Sequence, residues 1–157
     1  MKTELWCIGK TQEPWLETGI AVYEKRLTRY MSFALVAIPD VKQGGALPPE
    51  LLMAREGEAV LQRLKPEDRL VLLDERGTRF SSRGFAAWVE QQRLSSPRRL
   101  VFLIGGAFGF SEALNRRADQ RISLSEMTFS HQMVRLFFVE QLYRAMTILR
   151  NEAYHND

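Results

Sequence analysis

Apolar positions along this 157-residue chain fall into two alternating patterns. "LVLL" (70–73) and "LVFLI" (100–104) are unbroken apolar runs, as strands of a parallel sheet with both faces covered require. Shorter runs at Glu4–Ile8, Phe33–Ile38 and Ile122–Leu124 predict three more strands. Between them the period changes. Leu16, Ile20, Tyr23, Leu27 and Tyr30 step by four and three, which puts one apolar stripe on a helix entered through Pro14. Pro48 and Pro49 open a second helix, running to about Leu64 and stopped before Pro66. Ser81 or Ser82 caps a third, which carries Phe85, Trp88 and Val89, and Ser111 caps a short fourth. The last and longest runs from about Gln132 to Arg150. Strand followed by helix, five times over, predicts an α/β fold: a mostly parallel sheet flanked by helices, in one domain over residues 1–157.

Composition narrows the function classes only slightly. The net charge is +3 with a pI near 9.2, a mild basic bias that is compatible with RNA but far from a nucleic-acid coat. Cys7 is the only cysteine, so no intrachain disulfide can form and a reducing compartment is expected. Glu4 interrupts the position a secretory leader would fill with apolar residues, and the longest stretch without a polar or charged side chain, Leu100–Phe110, is far short of the ~20 residues of a membrane helix. The expected location is the cytoplasm.

The chemistry concentrates at strand ends. "LIGGAFGFSEAL" (103–114) sets three glycines into five positions directly behind the fourth strand. A phosphate, another ligand or merely a tight turn would each call for such a backbone. The phosphate reading fails: no lysine follows as a P-loop requires, and adjacent Gly105 and Gly106 break the dinucleotide pattern. A small molecule beyond the carboxyl ends of the strands, and a turn that simply needs glycine, both remain.

Two further strand ends decide between them. "LDERGTRFSS", "LIGGAFGFS", "SLSEMTFSHQMVRLFFVEQLYRA" and the terminal "YH" resemble, in order and spacing, the RlmH family of the SPOUT methyltransferase superfamily, over essentially the whole chain. That resemblance implies an alpha/beta-knot whose C-terminal part forms a deep trefoil knot, and a homodimer. It implies methylation of N3 of a pseudouridine in large-subunit (23S) ribosomal RNA, on the ribosome, with S-adenosylmethionine as donor and no metal. By motif position it assigns cofactor binding to Leu73, Gly105, Leu124, Ser125, Glu126, Met127, Thr128 and Phe129, largely through backbone groups. Tyr154 and His155 of the tail are implied to reach an active site, the partner's included. There His155 would serve as base or hydrogen-bond partner and Tyr154 would stack on the target; Arg144 is assigned to substrate binding.

Other residues keep two readings. The nearly all-round apolar final helix predicts a subunit interface through residues such as Phe138. His131 is expected to hydrogen-bond a loop carbonyl, and Arg76, Arg79, Arg83, Lys10, Arg116 and Arg117 are candidate phosphate contacts on the rims. Three departures from the family pattern stand out: Ala107–Phe108 where Pro-Glu is usual, Gln132 in place of a proline, and no proline before Tyr154. A non-catalytic ribosome-binding or assembly module of the same fold, and a SPOUT methyltransferase acting on transfer RNA, are the alternative functions.

Overall fold

The computed structural model describes residues 1–157. Five strands, β1 (Lys2–Ile8), β2 (Ser32–Ile38), β3 (Asp68–Arg79), β4 (Arg99–Ile104) and β5 (Gln120–Ser123), form one sheet in the order β2-β1-β4-β3-β5. Every pairing is parallel. The helices between and after them are α1 (Pro14–Leu27), α2 (Pro49–Leu61), α3 (Ser82–Ser95), α4 (Glu112–Arg117) and α5 (Met133–Leu149), with a short 3-10 turn at Gly44–Ala46 before α2. The α/β architecture read from the hydrophobic pattern is therefore the observed one.

The two faces of the sheet divide the helices. Leu5, Cys7, Val71, Phe102 and Ile104 point into a core built with Ile20 and Leu27 of α1, Phe85, Trp88 and Val89 of α3, and Phe138, Leu142 and Met146 of α5. Their sequence neighbours Trp6, Ile8, Leu70, Leu72, Val101 and Leu103 point the other way, onto Val60 of α2 and Leu114 of α4. Successive strand residues face opposite sides, so a strand with helices on both faces has to be apolar at every position. α5 lies between α1 and α3. Gly19 of α1 permits this, because a Cβ there would stand 3.2 Å from Leu136 Cδ1.

Local chemistry fixes the helix starts. Ser81 Oγ accepts from the Gly84 amide and Ser111 Oγ from the Leu114 amide, each satisfying an amide that would otherwise have no partner in the helix. Pro14 and Pro49 sit in the first turns of α1 and α2.

Two boundaries differ from the sequence expectation. α2 stops at Leu61, three residues short of the expected end. β3 does not end at Leu73: it bulges, so that Leu73 and Thr78 both face Ile122 of β5, and runs on to Arg79. Gly77 makes the bulge possible, since a Cβ would lie 2.6 Å from the backbone of Arg121 and Ile122.

Across the sheet's amino end lies an ionic cluster. Arg99 bonds both carboxylate oxygens of buried Asp68, reaches Glu4 Oε2 at 3.3 Å, and stacks over the Trp6 ring at 5.0 Å. Burial alone would raise the Asp68 carboxyl, but the Arg99 bonds and the Lys65 amide outweigh it and hold the group below the usual range.

Candidate active site

At the opposite, carboxyl end of the sheet, three loops enclose a cavity of about 510 Å3. Residues 73–76 come from the β3 bulge, 104–110 from the glycine turn after β4, and 124–131 from the segment joining β5 to α5; Val134 of α5 closes it. Leu73, Gly105, Leu124, Ser125, Met127, Thr128 and Phe129, seven of the eight residues that the resemblance assigns to a cofactor, all line it. Glu126 does not. Its carboxylate turns outward and pairs with Arg79.

Each loop is held by its own bonds. Gly109 N–H donates to Gly106 O at 3.2 Å, closing the glycine turn, and Gly109 takes a positive φ of 87°. The visitor at Gly105 is first the chain itself: a Cβ there would meet Phe110 Cε1 at 3.1 Å and the Gly109 carbonyl oxygen at 3.2 Å. Phe110 and Gly109 both line the cavity, so the small backbone at Gly105 sets the cavity's shape as well as the turn. In the last loop Ser123 Oγ donates to the Ser125 carbonyl, and Ser125 Oγ accepts from the Met127 amide. The Phe129 ring packs on Phe137 with centroids 4.9 Å apart.

Arg135 ties this loop to β1. It is wholly buried and faces no carboxylate. Instead it donates to the carbonyls of Ile8, Gly9 and His131 at 2.9–3.0 Å and to Thr11 Oγ1 at 3.2 Å. A buried guanidinium survives only with such saturation, so the four acceptors fix where α5 begins relative to β1. The sequence analysis gave Arg135 no role; an arginine one turn into an apolar helix, behind a loop, was the available signal. His131 lines the cavity, but its ring makes no hydrogen bond; only its carbonyl is used, by Arg135. The expected ring-to-carbonyl bond is absent.

The electrostatics of the cavity are mild. Asp74, buried, is chelated by the Arg76 amide and guanidinium, and these hydrogen bonds hold its carboxyl below the usual range. Beneath the glycine turn, Glu56 lies where a Gly106 Cβ would be, 2.4 Å from that position. Burial, with the Asp40 carboxylate nearby, raises its pKa. Cys7 is buried and its thiol is pushed up to about 12, which removes it as a nucleophile. No group of three or more His, Cys, Asp or Glu side chains is placed to hold a metal ion, and no helix is long and apolar enough to cross a membrane.

Tyr154, His155 and Arg144 are brought together, but elsewhere. Tyr154 O–H donates to Glu140 Oε1 at 2.8 Å and lies 3.4 Å from the Tyr23 hydroxyl. Arg144 bonds Glu140 at 2.6 Å and His155 Nδ1 at 3.2 Å, and its guanidinium is 4.8 Å from the Tyr154 ring centre. His155 Nε2 faces Asp157 Oδ1 at 2.7 Å, and Arg83 Nε donates to Asp157 at 2.7 Å. Glu140, whose spacing already suggested a pair with Arg144, and Asp157, an acid two places past His155 where the family pattern was expected to be broken, complete this chain of contacts. Burial, then the Tyr23 and Glu140 contacts, push the Tyr154 hydroxyl upward, so it is a donor rather than a base. Val134 lines the cavity and Arg144 stands ten residues further along α5, about 15 Å at 1.5 Å per residue. Within one chain Arg144 and Val134 thus stand nearly three turns apart on α5, while Asp157 reaches Arg83 in the first turn of α3.

Comparison with known proteins agrees with this geometry. The family model described as "Predicted SPOUT methyltransferase" matches residues 1–155. The chain belongs to the SPOUT methyltransferase family. It is 49% identical over 157 residues to a protein of Parabacteroides distasonis called "Ribosomal RNA large subunit methyltransferase H", with all of both chains covered. A Flavobacterium johnsoniae protein of the same name is 50% identical over 156 residues, 99% of each chain. One from Bacteroides fragilis is 46% identical over 157 residues, again with both chains fully covered. Membership of this family implies a methyl donor, and the cavity at the strand ends is the candidate place for it.

Proposed function

We propose that this protein is an S-adenosylmethionine-dependent methyltransferase of large-subunit ribosomal RNA, acting on N3 of a pseudouridine, as a homodimer in the cytoplasm. The single observation that carries the reading is the full-length similarity to proteins of that name combined with a cavity lined by seven of the eight residues the family motifs assign to the cofactor.

S-adenosylmethionine, when bound, supplies an activated methyl group. Leu73, Leu124 and Phe129 offer an apolar slot for the adenine, and the main chain of Gly105 and of residues 124–129 offers the hydrogen bonds. The chain's own residues then have to align the target nitrogen and help it lose its proton. Arg144, with five donors and no acceptor, suits the carbonyl oxygens that flank an imide N–H and stabilises the charge that develops on them. His155 is the proton acceptor, and Tyr154 stacks on the base.

Because Arg144 stands about 15 Å along α5 from Val134 at the cavity, we assign completion of the site to a partner's tail. Phe137 of α5, with Trp15 and Val22 of α1, remains exposed and forms the apolar part of the face we assign to that partner. Mass spectrometry of ribosomal RNA from a deletion strain tests the whole reading: one methyl group should vanish from a pseudouridine and return on complementation. An unchanged methylation pattern would leave the assembly-module alternative.

A further inference from the structure

The structure disposes of its positive charges unevenly. Arginines of the β3 bulge are neutralised, Arg76 by Asp74 and Arg79 by Glu126, as are Arg83 of α3 by Asp157 of the tail and Arg116 of α4 by Glu112. At the other end, Lys25, Arg26 and Arg29 near the C-terminus of α1 and Arg150 just past α5 are all exposed, and none has a carboxylate partner. The contact between Tyr30 and Glu152 brings these two helix ends side by side. Nearby carboxylates are already engaged. Glu24 accepts from the Leu35 amide, Glu152 from Tyr30, Glu140 from Arg144 and Tyr154, and Asp157 from Arg83.

Arg26 is the best placed of the four. Its guanidinium sits 5.2 Å from the Tyr23 ring centre and 5.5 Å from that of Tyr143. Tyr143 in turn packs on Tyr154 at 4.7 Å, and Tyr23 touches the Tyr154 hydroxyl. A guanidinium held over aromatic faces keeps N–H groups free for a further acceptor. It therefore stands at the border of the cluster assigned above to the target base, with no internal acceptor to satisfy it.

We propose that the C-terminal end of α1 together with Arg150 is the phosphodiester-binding surface of the enzyme, gripping the RNA strand that carries the target base. The proposal rests on RNA being the substrate. It moves the phosphate contacts away from the paired rim arginines, which have little left to offer a phosphate; Lys10, exposed and without a carboxylate partner, stays a rim candidate. It also divides labour along α5: one end holds the methyl donor and the other holds the nucleic acid.

The test is binding of the full-length protein to large ribosomal subunits lacking the methyl group, measured against salt concentration. For every phosphate the protein no longer neutralises, the log–log salt slope should flatten by about 0.7–0.9. The triple variant Arg26→Gln/Arg29→Gln/Arg150→Gln should thus flatten by roughly two units of slope and bind about tenfold or more weakly near physiological salt, with S-adenosylmethionine affinity unchanged. Arg116→Gln, which removes one positive charge from a neutralised pair, should bind like wild type. Should the triple variant prove unstable, Arg29→Gln/Arg150→Gln leaves the Arg26 stack intact and should still flatten the slope. Wild-type slope in either variant overturns the proposal, and so does a flattening in Arg116→Gln about one third of the triple variant's, since the effect would then follow net charge and not place. Methyl incorporation by the wild-type protein is scored separately. Its failure would count against the substrate reading, whereas an unaffected variant beside an active wild type counts only against this surface.

Discussion

Arg144 donates to Nδ1 of His155 over 3.2 Å while Nε2 of the same ring faces Asp157 over 2.7 Å. Arginine carries no acceptor, so Nδ1 must accept and the ring proton must sit on Nε2, donated to Asp157. The Nδ1 lone pair of His155 is thereby occupied. It can take a proton only once Arg144 is drawn away, and an imide oxygen arriving from the substrate is the competitor that would do so. In the proposed mechanism the base His155 and the charge-stabilising Arg144 are thus coupled to substrate entry.

This coupling predicts unequal effects within the cluster. His155→Ala should lower kcat by about a hundredfold to ten-thousandfold, the usual range for losing a general base, with methyl-donor affinity intact. Asp157→Asn keeps the ring and removes only its orienting charge, so its loss should be smaller. Single-turnover methyl transfer to ribosomal subunits measures both; an Asp157→Asn defect as large as that of His155→Ala would give the tail's acid the leading part.

The cavity makes a second prediction. Gly105→Val presses a branched side chain on Phe110 and the Gly109 carbonyl, both cavity walls, and should abolish S-adenosylmethionine binding in titration calorimetry. Gly105→Ala meets its nearest atom at 3.1 Å on a movable ring, so it should fold normally and bind at least tenfold more weakly. Full affinity in Gly105→Ala would reduce the glycine there to a turn former.

Most of the fold was legible because parallel strands covered on both faces and amphipathic helices write different periods into the chain. "LVFLI" could hardly be anything but a central strand, and Pro14, Pro49, Ser81 and Ser111 marked the helix starts that the structure uses. The β3 extension was not legible, since Asp74–Gly77 reads as a turn and continues as a strand only through a bulge against β5. In the site, glycine and serine positions were visible through motif order, while partnerships were not. Glu126 turning to Arg79, Arg135 capping three carbonyls and Glu140 joining Tyr154 to Arg144 depend on distances that no periodicity encodes. Phe138 misled in the same way: its apolar neighbours suggested an interface, yet it is fully buried against its own Phe102, 4.6 Å ring to ring.

An interface test therefore belongs at Phe137, which is 41% exposed. Phe137→Asp puts a carboxylate on the outer face of α5 without opening the core, and should shift sedimentation at micromolar concentration from dimer to folded monomer. A dimer unchanged by this substitution would locate the partner on another face.

Stability at low pH should depend on the Asp68–Arg99 pair. Asp68 has a lowered pKa in the fold, so its contribution is complete above the unfolded value and is lost as pH falls through the folded one. Asp68→Asn should cost about 2 kcal/mol at pH 7, and the gap to wild type should close progressively below about pH 4. Urea melts at several pH values measure it; a gap that persists at about pH 2.5, below the ordinary carboxylate range, would mean that packing, not charge, is what the substitution removes.

The separation of about 15 Å along α5 gives the last prediction. Deleting Tyr154–Asp157 removes the proposed base and stacking ring, yet leaves every cavity residue and the Glu140–Arg144 pair in place. The shortened protein should fold, dimerise and bind S-adenosylmethionine as before while methylating ribosomal subunits at least a hundredfold more slowly. Mixing it with Gly105→Val chains then asks whose tail serves which cavity. If tails cross, the mixed dimer owns one site with an intact cavity from the shortened chain and an intact tail from the Gly105→Val chain. Methylation should recover to about half the wild-type rate in a purified mixed dimer, because one of two sites is whole. If each tail serves its own subunit, no site in the mixture is complete and the rate stays at the level of the parents. Recovery would fix the composite site, and its absence would mean that α5 must bend or the tail unfold for one chain to act alone.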